Sequence, residues 1–338
     1  MGVTAKKHKI ILDVDTATGL SAADIDDGLA IALALVSPEI ELLGCTTCGG
    51  NARAHQATTC TLRILEVAGR GDIPVAEGRN SPLFQDASAS HEYFDDRGIR
   101  YQRFWEKMPP LPDPTIQPSP LKAHEFIIQM VQKYPGEITV VQEGADTNLA
   151  LALLVEPEIA PLVKEVVQMG GSFRQVNRES VGTIDMPSHI RQFIRLNTRF
   201  DPEATEIVIK SGIPFTFVTG NVTTRVFLSQ EDVNRIEAVD TPFHKFLAYT
   251  SRPWVTFYNE IRKRPRGACM HDPLTLATVI DPSLCRFVHM HCDLQRFRRR
   301  EDPYLYTNSL PPQVRVAIDV ESERFEKFLC DRLSSPVL

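Results

Sequence analysis

Five carboxylates lie close together in the sequence, directly after the first apolar run of the chain. They are Asp13, Asp15, Asp24, Asp26 and Asp27. The apolar run before them predicts a buried strand, and the apolar residues after them predict a helix. Open α/β sheets place their ligand sites at this kind of junction between a strand and a helix. The acidic cluster is therefore the first candidate for a functional site.

Two physical explanations account for such a cluster. The helix dipole stabilises carboxylates at a helix start by about 0.3–1 kcal/mol each, which explains Asp26 and Asp27 without any ligand. It does not explain Asp13 and Asp15, because like charges that converge in a cleft repel one another unless a cation neutralises them. A hard divalent ion with oxygen ligands, Ca²⁺ or Mg²⁺, is the natural neutraliser. The residue chemistry favours a metal site, and solvated capping acids are the alternative.

Alternating strands and helices must position this cluster. Short apolar runs alternate with segments whose apolar residues recur three and four positions apart, which is typical of a mainly parallel sheet with helices on both faces. The predicted strands are residues 9–12, 40–46, 138–142, 165–169 and 214–218. The predicted helices are residues 29–36, 57–67, 123–134, 149–154 and 203–210. We therefore expect an α/β fold with an open, mainly parallel central sheet and a Rossmann-type core.

Two segments interrupt this pattern. Residues 81–120 hold an aromatic and charged stretch followed by clustered prolines, which predicts a long irregular insertion, either a surface excursion or part of an active-site rim. His91 in this segment could line the rim of the pocket, but we expect it to be a solvent-exposed loop histidine. Residues 172–200 are rich in arginine and predict a basic loop over the carboxyl edge of the sheet. No repeat or linker divides the chain, so a single domain over residues 1–338 is expected.

The overall composition argues against several classes of protein. The chain has 338 residues, of which 43% are hydrophobic, and a formal net charge of −6, which argues against disorder and against a nucleic-acid-binding surface. No run approaches the roughly 18 apolar residues of a membrane span, and the N-terminal segment lacks the apolar region of a signal peptide. The seven cysteines are scattered and odd in number. They predict reduced thiols in a cytoplasmic protein.

Several ordered motifs resemble those of the inosine-uridine nucleoside hydrolases. The family opens with Asp-x-Asp followed by Gly-x-Asp-Asp, which is similar to Asp13, Asp15, Gly19, Asp26 and Asp27, although this chain has extra residues after Gly19. The later similar segments are residues 44–51, which end in Gly-Asn, residues 138–150 with their Thr-Asn pair, Met169-Gly-Gly, Asn197 with the Asp-Pro-Glu-Ala that follows it, and Ala268-Cys-Met-His-Asp-Pro-Leu. The resemblance covers roughly residues 8–335 and implies the fold of that family.

The resemblance implies a calcium-dependent N-ribohydrolase that cleaves the N-glycosidic bond of a nucleoside, or of a 5′-modified nucleoside, to the free base and ribose. It implies a Ca²⁺ ion held by the carboxylates of Asp15, Asp27 and Asp272 and by a backbone carbonyl, that of Glu143. It also implies that Asp15 is the general base toward the attacking water. The expected partner is a small-molecule nucleoside, without nucleic acid or membrane, and the expected assembly is a homo-oligomer, a dimer or a tetramer.

The remaining implied roles concern the sugar and the departing base. Asp26 and Asn51 would bind the 2′ and 3′ hydroxyls of the ribose, and Asn197 the far end of the sugar. Asp13 would orient its neighbours from behind. His271 would be the acid for the departing base, because a histidine can be protonated near neutral pH. A histidine that merely packs at this position is the alternative.

The chain departs from the family pattern near the 5′ end of the sugar. The family usually has Glu two residues before the ribose-binding Asn and an Asn six residues before that Glu, and these places hold Arg195 and His189. Arginine only donates hydrogen bonds and suits phosphate or carboxylate. One hypothesis is therefore a substrate with an anionic 5′ group, bound by Arg195 and His189. The alternative is that Arg195 turns outward and another group of the loop accepts the 5′ hydroxyl.

A different function is also compatible with this departure. A family member that binds a ribosyl ligand or scaffolds a partner without turnover would tolerate an altered 5′ region. The presence of Asp15, Asp27, Asp272 and His271 together argues against this function, because a non-catalytic protein does not need the complete set.

Kinetics on a nucleoside and on its 5′-monophosphate test the hypothesis of an anionic substrate. We expect the monophosphate to be turned over better than the nucleoside, and Arg195→Glu to remove this preference. If the phosphate weakens turnover and Arg195→Glu leaves the nucleoside reaction unharmed, the hypothesis is wrong.

Overall fold

The structure, a computed structural model, describes residues 6–171, 196–264, 266–292, 305–306 and 312–338. Its strands are β1 (His8–Val14), β2 (Ile40–Thr47), β3 (Val75–Glu77), β4 (Ile138–Gln142), β5 (Glu165–Met169), β6 (Phe215–Val218), β7 (Phe227–Leu228), β8 (Ala268–Cys269), β9 (Cys285–Cys292), β10 (Leu305–Tyr306) and β11 (Gln313–Val320). Its α-helices are α1 (Asp26–Leu35), α2 (Ala54–Val67), α3 (Ser88–Tyr101), α4 (Ala123–Lys133), α5 (Thr147–Val155), α6 (Leu196–Phe200), α7 (Pro202–Lys210), α8 (Gly220–Thr223), α9 (Gln230–Glu237), α10 (Pro242–Ile261), α11 (His271–Ile280) and α12 (Ser322–Leu333).

The described strands form one large sheet and one small pair. The order in the large sheet is β10-β9-β11-β6-β5-β4-β1-β2-β3, with parallel pairing from β11 to β3 and antiparallel pairing of β9 with β11 and β10. Strands β7 and β8 pair separately and antiparallel. The predicted α/β class with a mainly parallel central sheet is confirmed.

Apolar side chains cover both faces of the sheet, as the sequence predicts. In β1, Ile10 and Leu12 lie in the core that includes α1, α2 and α11, whereas Ile11 lies in the opposite core with α4, α5 and α7. Successive side chains of a strand point to opposite faces, so β1 is buried on both. In the sequence, this strand therefore appears as a continuous apolar run that ends at the acidic residues.

The expectation of an irregular insertion over residues 81–120 is wrong in part, because α3 lies within it. Its only buried residues are His91 and Arg97, so it has no apolar stripe for a periodicity argument to detect. The guanidinium of Arg97 lies 5.3 Å from the ring of Trp254 and 5.6 Å from that of Phe257, both in α10. Cation–π packing thus attaches this polar helix to the core.

The structure contradicts the expectation for His91 and describes only the end of the predicted basic loop. His91 is 7% exposed within α3 and is not a solvent-exposed loop residue. The end of the predicted basic loop, residues 196–200, forms helix α6, and residues 172–195 lie outside the described part of the chain. Among the described helices, none combines the length and the apolar character that a membrane crossing requires.

Candidate active site

The carboxyl ends of neighbouring parallel strands bring the predicted polar residues to one edge of the sheet. Asp13 in β1 pairs with Thr46 in β2 and with Gln142 in β4. Asp15 and Glu143 directly follow β1 and β4, and their backbones continue toward the same edge. This is the edge at which open α/β sheets bind ligands.

Asp15 is held by hydrogen bonds on several sides. Its backbone N–H donates to Asp27 Oδ1 at 3.0 Å, which joins the end of β1 to the start of α1. Its carboxylate accepts from the backbone N–H of Asn51 at 2.8 Å and from Asn51 Nδ2 at 3.0 Å. A Cβ at Gly50 would collide with Asp15 Oδ2, so the close approach of these two segments requires glycine. The orientation of the Asp15 carboxylate is thereby fixed.

Asp13 lies behind Asp15 and is completely buried. Its Oδ1 accepts from Thr46 Oγ1 at 2.7 Å and from Asn148 Nδ2 at 2.8 Å. Burial raises the pKa of Asp13 to about 7, and these two hydrogen bonds oppose the rise. Asn148 also donates to the carbonyl of Thr47 at 3.0 Å, so it connects α5 to the ends of both β1 and β2. The sequence singled out the Thr-Asn pair as a motif but did not indicate this contact.

Asp26 connects the start of α1 to the start of α11. Its Oδ2 accepts from the backbone N–H groups of His271 at 2.9 Å and of Asp272 at 3.2 Å. The first N–H groups of a helix have no partner within the helix, so Asp26 satisfies two of them for α11. This contact places the His271 and Asp272 side chains beside the acidic cluster of α1.

Three of these carboxylates form a group that can hold a metal ion. Oxygen atoms of Asp26, Asp27 and Asp272 lie within 4.8 Å of one another, and all three residues are buried. Asp27 Oδ2 is buried without a hydrogen-bond partner in the described part of the chain. An unpartnered carboxylate oxygen in an all-oxygen group fits a hard divalent cation.

Glu143 and Asn197 meet beside this group. Asn197 Nδ2 donates to the carbonyl of Glu143 at 2.6 Å and to that of Met169 at 3.1 Å. Asn197 therefore bridges the ends of β4 and β5. The carbonyl of Glu143, the backbone ligand implied by the sequence resemblance, already accepts one hydrogen bond.

Besides Asp13, five carboxyl groups of the site have raised pKa values. They are Asp15, at about 6, and Asp26, Asp27, Glu143 and Asp272, well above the ordinary range. Burial is the largest cause in each case, because it disfavours the charged form, and the neighbouring carboxylates add to it. A bound cation would offset both effects.

His271 is a buried residue at the first position of α11. Its Nδ1 lies 2.7 Å from Thr223 Oγ1, which fixes the plane of the ring. A ring nitrogen lies within 4.8 Å of carboxylate oxygens of Asp24 and Asp26. Burial lowers the pKa of His271, and the charge of Asp24 opposes this effect. Thr223 is a contact that the sequence gave no reason to expect.

A cavity of about 530 Å³ opens next to Asn51. It lies between the loop that follows β2 and helix α3, and His91 and Phe94 line it. Arg53 donates to both carboxylate oxygens of Asp95, at 2.8 and 2.6 Å, and this pair attaches α3 to the start of α2. The volume is in the range of small-molecule sites. Part of the segment 81–120 thus lies at the rim of the candidate site.

Nine of the predicted site residues are therefore connected around one sheet edge: Asp13, Asp15, Asp26, Asp27, Asn51, Glu143, Asn197, His271 and Asp272. The two predicted 5′-group residues, Arg195 and His189, lie outside the described residues.

The chain is similar to known proteins over nearly its whole length. The model of the family described as inosine-uridine preferring nucleoside hydrolase matches residues 10–327. Probable uridine nucleosidase 2 of Arabidopsis thaliana is 32% identical over 340 residues, which cover 97% of this chain and 98% of that protein.

Two solved structures are similar over nearly the whole chain. A plant nucleoside hydrolase, the PpNRh1 enzyme, has a TM-score of 0.76 and 29% identity and covers 97% of this chain and 99% of its own. A purine-preferring ribonucleoside hydrolase from Gardnerella vaginalis has a TM-score of 0.77 and 28% identity, with coverages of 96% and 98%. The chain therefore belongs to the inosine-uridine preferring nucleoside hydrolase family and is a hydrolase of N-glycosyl compounds.

Proposed function

We propose that this chain is a calcium-dependent N-ribohydrolase, which cleaves the N-glycosidic bond of a nucleoside or 5′-modified nucleoside to the free base and ribose. The observation that carries the proposal is the buried group of Asp26, Asp27 and Asp272, which Asp15 joins through Asp27 and which lies near Asn51 and an open cavity. Buried carboxylates with raised pKa values at the ligand-binding edge of a sheet are typical of functional sites.

The metal ion is proposed to be Ca²⁺, held by Asp15, Asp27, Asp272 and the carbonyl of Glu143. Calcium takes 6–8 oxygen ligands in a flexible geometry, which suits this set. When bound, the ion would supply positive charge that makes a water molecule acidic enough to act as a nucleophile near neutral pH. The Glu143 carbonyl accepts one hydrogen bond, from Asn197, and a second lone pair of its oxygen is available for the ion.

Asp15 is proposed as the general base that takes a proton from the attacking water. Each of its oxygens accepts one hydrogen bond from Asn51, and each keeps further lone-pair capacity. The two hydrogen bonds hold the carboxylate in one orientation, which a general base needs. Asp13, held by Thr46 and Asn148, supports this segment of backbone from behind.

The other residues are proposed to bind the sugar and assist the departing base. Asp26 and Asn51 would receive the 2′ and 3′ hydroxyls, and Asn197 the far end of the ribose. The surrounding carboxylates would stabilise the positive charge that develops on the ribose ring as the bond to the base breaks. His271 would donate a proton to the base, with its ring oriented by Thr223.

The proposal includes a biological setting. We propose a cytoplasmic homo-oligomer, a dimer or a tetramer, that acts in the salvage of purine or pyrimidine nucleosides. All seven cysteines are buried and free, as expected for a protein of a reducing compartment.

Replacement of the proposed base tests the reaction. We expect Asp15→Ala to lower the release of ribose from nucleosides, measured as reducing sugar with calcium present, by about 10²–10⁴-fold. Asp113→Ala is the control, because the Asp113 side chain is 95% exposed and this variant should keep wild-type activity. Sugar release by Asp15→Ala at the wild-type rate contradicts the proposal. Calcium binding by the wild type without sugar release from any substrate favours a ribosyl-ligand-binding protein instead.

The proposed acid is tested by the choice of leaving group. His271→Ala should slow the cleavage of natural nucleosides by about 10²–10⁴-fold, since their bases need protonation as they depart. The same variant should cleave 4-nitrophenyl riboside almost as fast as the wild type, because 4-nitrophenolate departs without a proton. Thr223→Val, which removes the hydrogen bond to the ring, should give a smaller loss in the same pattern. Equal losses on both substrates would show that His271 has another role.

A further inference from the structure

The side chain of Glu143 is a buried carboxylate without a partner. Glu143 is 1% exposed, and neither Oε1 nor Oε2 has a hydrogen-bond partner among the described residues. The proposed function uses only the backbone carbonyl of this residue. An ionised carboxylate that is buried without a hydrogen bond is strongly destabilising, and a bound cation would offset this cost.

Glu143 lies at the same edge of the sheet as the acidic cluster, because its backbone N–H donates to the carbonyl of Asp13 at 2.7 Å. The charges of Asp26 and Asp15 raise the pKa of its carboxyl, and its own charge raises those of Asp27 and Asp272. The Glu143 carboxylate therefore adds negative charge to the acidic cluster. A bound cation would relieve the repulsion among all of these groups at once.

Hydrogen bonds hold the backbone of Glu143 in place. Its N–H donates to the carbonyl of Asp13 at 2.7 Å, and the N–H of Gly144 donates to the same carbonyl at 2.9 Å. Its own carbonyl accepts from Asn197 Nδ2 at 2.6 Å. The backbone polar groups are therefore engaged, whereas both side-chain oxygens remain available.

We infer that the carboxylate of Glu143 joins Asp15, Asp27 and Asp272 as a fourth anionic ligand of the metal ion. The inference rests on the proposed metal site and extends it, because the residue then contributes its side chain to the metal in addition to any contact by its carbonyl. Calcium accepts 6–8 oxygens, so three aspartates leave room for another carboxylate. The affinity of calcium sites increases with the number of charged ligands, so this site should bind calcium more tightly than one with three carboxylates.

Calcium titration of the full-length protein tests the inference. We expect Glu143→Gln, which keeps the shape and removes the charge, to raise the calorimetric Kd for Ca²⁺ at least about tenfold. Glu143→Asp keeps the charge but shortens the reach, so its Kd should lie between those of Glu143→Gln and the wild type. Glu165→Gln is the matched control, because this residue begins β5 at the opposite edge of the sheet and should keep the wild-type Kd.

Thermal unfolding gives a second readout, because Glu143→Gln should raise the melting temperature without metal but reduce the stabilisation by calcium. Without metal, Glu143→Gln should melt at a higher temperature than the wild type, because an uncompensated buried carboxylate is removed. The rise in melting temperature on adding calcium should be smaller in Glu143→Gln than in the wild type, since weaker binding stabilises the folded state less. Both shifts should be absent from Glu165→Gln.

Three results would overturn the inference. If Glu143→Gln binds calcium like the wild type while the wild type releases sugar, the side chain is not a ligand and the proposed function stands. If Glu143→Gln changes only the KM for a nucleoside, the carboxylate contacts the sugar. If the wild type binds no calcium, the proposed metal and the inference are both wrong.

Discussion

The structure depends on the burial of several carboxylates at one edge of a parallel sheet. Burying an ionised carboxylate without compensation costs several kcal/mol, and neighbouring carboxylates of the same sign increase that cost. Backbone and side-chain groups of the described residues donate hydrogen bonds to Asp13, Asp15 and Asp26. Among the same residues, Asp13 Oδ2, Asp27 Oδ2 and both oxygens of Glu143 have no partner. A bound cation would supply the positive charge that offsets this cost, which connects the fold to the proposed chemistry.

The elements around the site are arranged to hold these charges apart from water and in fixed positions. Asp26 satisfies the first N–H groups of α11, so the same carboxylate that adds to the repulsion also anchors the helix carrying His271 and Asp272. Asn51 holds both oxygens of Asp15. A preorganised set of this kind needs little rearrangement when a ligand binds or when charge develops in the transition state. The rigidity of the strand ends is thus part of the proposed catalysis.

Much of the fold and of the site could be predicted from the sequence, for reasons that differ between elements. β1 and β4 are buried on both faces, so each appears as a continuous apolar run, and the acidic cluster is contiguous at the end of the first. Helix α3 was missed because its buried residues, His91 and Arg97, are not apolar. Arg97 attaches the helix to rings of α10. Strand β3 has three residues, too few to show a period.

The contacts that complete the site were less accessible to sequence reasoning. Thr223 reaches His271 from 48 positions away, and Asn148 reaches Asp13 from 135, so only the folded chain brings these pairs together. The family resemblance assigned a role to the carbonyl of Glu143 only, so the sequence did not indicate a role for its side chain. Local periodicity predicts elements, whereas partners from distant elements follow from strand order and helix packing.

One measurement tests the central claim that these carboxylates exist to hold a cation: anomalous diffraction from crystals of the protein grown with calcium. The account predicts a single strong peak at the carboxyl edge of the sheet, about 2.3–2.6 Å from oxygens of Asp15, Asp27 and Asp272. A map without a peak among these residues, at a calcium concentration that supports sugar release, would contradict it.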